Sequence, residues 1–375
     1  MMTRRDMLAA AGSAAAFLVK GAGAEPRVLK HMGVANTSFG ARMRAGGGGF
    51  GPGGRGGRGG RGGPGGPPPG ARPPAAPIMP PFDIMDYAHE TAVGGVETML
   101  TSYDADSIKK FRQKLDSYNL RVILSPRLPT EQSDVEDFDA AVKASKEAGA
   151  YCLHAAMTNR RYEEFDTYAQ YQANFERCQK QIALAEPVLA KYKIRLGIEN
   201  HKGWRAVEQA AWMKRVSSEW VCVHLDFGNN ISFCEDPMDT LDILLPYIIA
   251  AHIKDQAVEP YEDGFTLSEI PFGEGFLPLE KMVAKLQKKD PNMPFDLEMM
   301  TREPLKVPVF TDKYWVTFGD IPGRDLAHIL EIVHKNKPKS PVPHVNGLSL
   351  EAQVKFEDDN NRKCIDWARQ NLPLG

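Results

Sequence analysis

The chain has 375 residues, room for one large domain or two. An apolar share of 42%, a charged share of 25% and a formal net charge of -2 are ordinary for a globular protein, and they give no field that would draw in nucleic acid or an anionic membrane. The five cysteines (Cys152, Cys178, Cys222, Cys234, Cys364) are scattered and form no Cys-x-x-Cys, which argues against a disulfide framework and against a cysteine-held zinc.

Residues 1–24 carry export features. Thr3-Arg4-Arg5-Asp6-Met7-Leu8 resembles a twin-arginine motif, an Ala-rich run extends from Met7 to Val19, and Ala22-Gly23-Ala24 is an A-x-A cleavage pattern. The run is shorter than the roughly 20 apolar residues of a membrane span. A twin-arginine signal peptide over 1–24 is expected, with a periplasmic or otherwise exported chain and no stable membrane insertion. Arg27 to Ser38 then reads as a first strand running into a loop. Residues 45–77 are low in complexity: 16 of the 34 glycines fall between Gly46 and Gly70, with Arg55, Arg58 and Arg61 in Arg-Gly-Gly repeats. Such a segment has little to bury and is expected to be a disordered insertion after strand 1. Loop closure entropy grows slowly with length, so the insertion costs little.

A regular rhythm follows. Helices are expected near 82–93, 106–118, 133–148, 168–192, 206–217, 238–245, 279–288 and 324–335, from apolar residues at helical spacing. Short β-rich runs begin near residues 28, 95, 121, 150, 194, 221, 248 and 294. Eight alternating strand and helix units predict a closed (β/α)₈ TIM barrel over 25–336. An open doubly wound sheet would want a Gly-rich phosphate loop opening its first helix, and the ordered sequence has none. Residues 337–375 form a C-terminal extension, with a helix from Ser349 to Asn371 docked by Ile365 and Trp367. Two stretches are elaborated: Gln256 to Phe276 as a loop, and Met299 to Gly323 as a long loop rich in apolar and aromatic side chains.

The last four strands end in chemistry. Ile198 leads into Glu199-Asn200-His201, Val223 into His224-Leu225-Asp226, Ala251 into His252-Ile253-Lys254-Asp255, and Leu297 into Glu298. The carboxyl ends of barrel strands share one mouth, so Glu199, Asp226, His252 and Glu298 should converge. Three carboxylates and one imidazole suit one hard or borderline divalent ion: Mn, Co, Mg or Zn. Their intervals of 27 and 26 residues each match one βα unit, and the 46 residues before Glu298 leave room for the elaborated loop.

This pattern resembles the xylose isomerase-like TIM-barrel superfamily, densest from Ile194 to Met300. The resemblance implies that Glu199, Asp226, His252 and Glu298 hold the metal and that Glu199 and Glu298 are the catalytic acid–base pair. It implies proton abstraction next to a carbonyl through an enediolate, on a sugar or polyol, by an isomerase or epimerase. A lyase or dehydratase on a keto-sugar or keto-glycoside is the alternative, and a non-catalytic sugar-binding barrel is the alternative of another class. The arginine that often follows the metal histidine in ketose epimerases is replaced here by Lys254-Asp255-Gln256. The nine histidines do not fill the three-zinc set of endonuclease IV-type enzymes, so no nucleic-acid partner is expected. Homo-oligomerisation is left open. Substrate-binding candidates are His201, His224, Lys254 and Trp315. His201 either bonds a sugar hydroxyl or makes an orienting contact in its loop. Lys254 either steadies an oxyanion or pairs with Asp255. Trp204 and Trp315 either stack on a sugar face or pack in their loops, and the amides of Gly273-Glu274-Gly275 could receive a polar ligand.

Overall fold

Eight short parallel strands close on themselves in the computed structural model, which describes residues 26–47 and 79–375. The expected signal peptide lies outside the described residues, as does the Gly/Arg-rich insertion beyond Gly47. The strands are β1 (Leu29–Ala35), β2 (Val93–Thr98), β3 (Arg121–Leu124), β4 (Cys152–Ala155), β5 (Leu196–Glu199), β6 (Val221–Asp226), β7 (Ile248–Ile253), β8 (Asp255–Tyr261), β9 (Gly264–Ile270), β10 (Phe295–Leu297) and β11 (Leu305–Val307). The barrel runs β1-β10-β7-β6-β5-β4-β3-β2 and closes where β1 pairs with both β2 and β10. The expected (β/α)₈ barrel is the observed architecture.

The helices cover the barrel with one apolar stripe each. Leu279–Lys289, for example, buries Leu279, Met282, Val283 and Leu286, a spacing of three to four that keeps them on one face. Caps set the helix starts. The Asp83, Asp104, Thr167, Asp236 and Ser349 side chains each accept a backbone N–H from the turn that follows.

Two regions differ from the sequence reading. The expected loop Gln256–Phe276 contains an antiparallel hairpin, β8 with β9, and β11 from the long loop adds a third strand. The hairpin turns at Glu262-Asp263, with Tyr261 paired to Gly264. Pro260 masked the strand pattern, and it is tolerated because it lies at the exposed tip of the ribbon. The long loop also holds a short helix, Asp312–Trp315.

The C-terminal extension wraps back onto the first strand. Helix Leu350–Asn371 buries Ile365, and Trp367 packs edge-on against Phe272 at 6.1 Å. The Asn361 side-chain amide donates to the Ser38 carbonyl at 2.9 Å. The His31 N–H donates to the Leu374 carbonyl at 3.0 Å. Glu357 accepts from the amides of Ala41 and Arg42 (2.8 and 2.9 Å), so it caps the helix Gly40–Ala45 that follows β1. All five cysteines are buried and free. Among the described residues, no helix is long and apolar enough to cross a membrane.

The floor of the barrel fixes the space beneath the site. Arg121 on β3 pairs with fully buried Asp296 on β10 across the interior. Glycines make room for that pair. A Cβ on Gly33 would sit 1.9 Å from Asp296 Oδ1, and one on Gly95 would sit 2.6 Å from the Arg121 guanidinium.

Candidate active site

Side chains alternate along a strand, so residues two apart share a face. Along β2 the inward set reaches Glu97, along β4 His154, along β6 His224 and Asp226, and along β7 His252 and then Lys254. Register lines them up. Glu199 is level with His224 and Asp226 with His252, and the Glu298 amide donates to the Ile253 carbonyl at 3.1 Å. The result is two tiers above the Arg121–Asp296 floor.

The lower tier is three imidazoles around one carboxylate. Glu97 Oε2 lies 2.9 Å from His252 Nε2, and Glu97 Oε1 lies 3.1 Å from His154 Nδ1. His154 Nε2 then reaches Glu199 Oε2 at 3.1 Å. The His224 ring sits edge-on to His252 and His154, with centroids 4.2 and 4.6 Å away. It is fully buried with no hydrogen bond at either ring nitrogen, and its Nε2 lies 3.9 Å from Glu97 Oε2. Burial and the two neighbouring imidazoles hold His224 well below the usual histidine range. Burial also disfavours charge on His154, but Glu97 and Glu199 outweigh it and raise that imidazole to about 9. The same contest, won by Glu97 and Glu298, raises His252.

The upper tier is the predicted quartet. One ligand atom from each of Glu199, Asp226, His252 and Glu298 lies within 4.8 Å of the others, and all four residues are buried. Glu199, Asp226 and His252 are held from behind, the last by Glu97. Asn229 Nδ2 donates to Glu199 Oε1 at 2.8 Å, and Asp226 Oδ1 accepts the amides of Gly228 and Asn229 at 2.9 and 2.8 Å. The Trp204 indole donates to the Glu199 carbonyl at 3.1 Å.

This set fits a divalent cation. His252 Nδ1 is buried without a hydrogen-bond partner, 3.8 Å from Glu298 Oε2, while its Nε2 is fixed by Glu97. A carboxylate behind an imidazole is the usual support of a metal-ligating histidine. Three acids in one buried spot also need a cation, and the chain supplies a partial stand-in. The Lys254 ammonium lies 2.6 Å from Asp226 Oδ2, without hydrogen-bond alignment, and pairs with Glu298 Oε2. Burial works against the charge on Lys254, but Asp226 and Glu298 raise its pKa above the usual lysine range. Burial lifts the Asp226 carboxyl, a shift that Lys254 opposes and the neighbouring acids reinforce.

Lys254 therefore does not pair with Asp255, the sequence alternative. Neighbours on a strand point to opposite faces, and Asp255 turns outward. There it accepts the amides of Gly273, Gly275 and Leu277 at 2.9, 3.0 and 3.2 Å, so the amides of that Gly-x-Gly are already satisfied. His201 is half-buried at the rim, with Nδ1 2.6 Å from the Thr158 carbonyl. Trp315 lies apart from the quartet's hydrogen-bond network. Its indole donates to the Val309 carbonyl at 2.8 Å and its ring packs on Tyr314 and Phe318.

Several site residues escaped the sequence reading: Glu97, His154, Lys202, Asn229, Glu269 and Arg302. Fully buried Glu269 on β9 takes Arg302 in a fork at 3.1 and 2.6 Å and lies 4.0 Å from Lys254. For Glu97 the available signal was its place two residues after Gly95 in an apolar strand.

The family described as xylose isomerase-like TIM barrel matches residues 85–314, more than half of the chain. The chain belongs to that family. Among curated proteins it is similar to YihM, an uncharacterised protein of Escherichia coli (strain K12), at 24% identity over 218 residues. That match covers 55% of this chain and spans 62% of the relative's length. Among solved structures, a D-psicose 3-epimerase superposes with a TM-score of 0.50 at 13% identity, covering 77% of this chain and 92% of that one. A sugar phosphate isomerase/epimerase from Parabacteroides distasonis superposes with a TM-score of 0.48 at 13% identity, covering 95% and 97%. The likeness to the D-psicose 3-epimerase speaks for the fold.

Proposed function

We propose that this barrel is a divalent-metal-dependent isomerase or epimerase of a sugar or polyol, working by proton transfer next to a carbonyl through an enediolate. The observation that carries the proposal is the convergence of Glu199, Asp226, His252 and Glu298 on one buried point. Those four residues would hold the ion, and a bound ion would supply positive charge for the substrate's carbonyl and hydroxyl oxygens. The chain's own groups do the rest. Glu199 and Glu298 end strands on different sides of the mouth, so each presents a carboxylate to a different face of a substrate carbon. One takes the proton and the other returns it. Asn229 and His154 hold Glu199 in place, leaving its proton-accepting edge fixed in direction. Lys254, buried beside Asp226 and Glu298, is placed to donate to an enediolate oxygen. The buried walls exclude water that would reprotonate the carbanion at random.

The test is turnover of a keto-sugar panel in deuterated solvent with metal-loaded protein. The proposal expects deuterium at the carbon next to the carbonyl in an isomerised or epimerised product, and loss of that exchange in Glu298→Gln with ligand binding retained. Release of a β-substituent in place of isomerisation would move the assignment to a lyase. Binding with no exchange on any substrate would make the protein a sugar-binding barrel. The twin-arginine-like motif at Arg4-Arg5 favours the further reading that the chain is exported in the folded state, for which cell fractionation of the full chain is the check.

A further inference from the structure

The rim of the site holds three cations, and two of them have their acids. Lys254 is matched by Asp226 and Glu298, and Arg302 by the fork on Glu269. The third, Lys202, follows β5 by three residues and is only 3% exposed. Among the described residues no carboxylate comes within ion-pair distance of it. Its one hydrogen bond goes to a neutral acceptor, the Asn229 side-chain oxygen. Its partner Asn229 also holds Glu199, which places the ammonium beside the quartet. Burial, Lys254 and Arg302 oppose its charge, the more distant Asp226 and Glu269 only partly offset them, and the group is lowered to about 8. A buried ammonium with no carboxylate in direct contact is costly, by several kcal/mol. The cost is removed if the missing anion arrives with the ligand.

We propose that Lys202 is the anchor for an anionic group on the substrate, so that the sugar handled at this site carries a carboxylate or a phosphate. This deepens the reading above and rests on it for the position of the sugar. The competing role for Lys202 is purely structural. Through Asn229 it could simply steady Glu199, since Asn229 Nδ2 holds Glu199 Oε1 at 2.8 Å. That role would weaken every ligand alike, whereas an anchor weakens only charged ones.

Binding separates the two. Mn²⁺-loaded full chain is titrated calorimetrically with glucose, glucuronate and glucose 6-phosphate. A charge-assisted contact in a buried site is worth about tenfold or more in affinity. The proposal expects at least one anionic ligand to bind more tightly than glucose by about that factor. The carboxylate and phosphate arms show which anion it is. In Lys202→Met the anionic-to-neutral affinity ratio should collapse to near one, and Lys202→Arg should restore part of it. The proposal is overturned if glucose binds as tightly as both anions, if no anion binds, or if the ratio survives in Lys202→Met. Should Lys202→Met fail to fold, the wild-type ratio and its decline with added salt decide alone. Deuterium exchange in the same samples reports separately on the proton-transfer reading. Anion preference without exchange would fail that reading and keep this one, and exchange without anion preference would do the reverse.

Discussion

Glu97 lies below the quartet, where it holds the ligand candidate His252 and its neighbour His154. Replacing it tests whether the lower tier exists to aim His252. The carboxylate makes contacts of 2.9 Å to His252 Nε2 and 3.1 Å to His154 Nδ1. In Glu97→Gln the amide keeps one acceptor, so one imidazole remains held and the other meets an N–H. In Glu97→Ala both lose their partner. Two effects then compete at His252. Without Glu97 the imidazole binds a proton less tightly, which should help a metal displace it. The same carboxylate, however, attracts a divalent ion twice as strongly as a proton, and it fixes the ring so that Nδ1 faces the acids. The second effect should win. Loss of a carboxylate behind a ligating histidine typically costs 10- to 100-fold in metal affinity. Competition of Mn²⁺ against a chelating dye should give about tenfold weaker binding in Glu97→Gln and about a hundredfold in Glu97→Ala. Metal affinity within about twofold of wild type in both variants, with the fold intact, would refute the reasoning.

Other outcomes follow from the same geometry. Gly33→Ala drives a Cβ to 1.9 Å from Asp296 Oδ1 and disturbs the buried pair with Arg121, so thermal unfolding should show a loss of about 3 kcal/mol. Lys254→Met removes the cation beside Asp226 and Glu298. The metal-free protein should melt at a lower temperature, and added Mn²⁺ should raise it by a larger interval than in wild type. Burial pushes the Glu357 carboxyl up to about 7 from an ordinary 4.5. The folded protein therefore holds a proton that the unfolded chain has lost, and stability should fall as pH rises across that window by about 2–3 kcal/mol. Denaturant titrations at pH 5 and pH 8 should show the difference, and Glu357→Gln should flatten it.

The quartet was legible because each member closes an apolar run, and the runs recur one βα unit apart. Strand period and barrel closure do the rest, turning four distant positions into neighbours. Glu97 and His154 were hidden for the opposite reason. Each is a lone polar residue inside a strand, with no partner at a telling interval, and the meaning comes only from barrel closure. Lys254 was assigned one alternative partner by sequence adjacency, Asp255, which the pleat sends to the other face. The hairpin β8–β9 was masked by Pro260, although Asp263-Gly264 at its turn is a hairpin signal. Lys202 showed no signal, because a lysine in a loop reads as solvated until the structure buries it.

Metal stoichiometry of the purified chain tests the central claim most directly. Elemental analysis after Mn²⁺ loading and removal of excess ion should give one ion per chain in wild type and none in Asp226→Ala or His252→Ala, both still folded by circular dichroism. Folded wild-type protein that retains no ion, or an ion retained equally by both variants, would contradict the account.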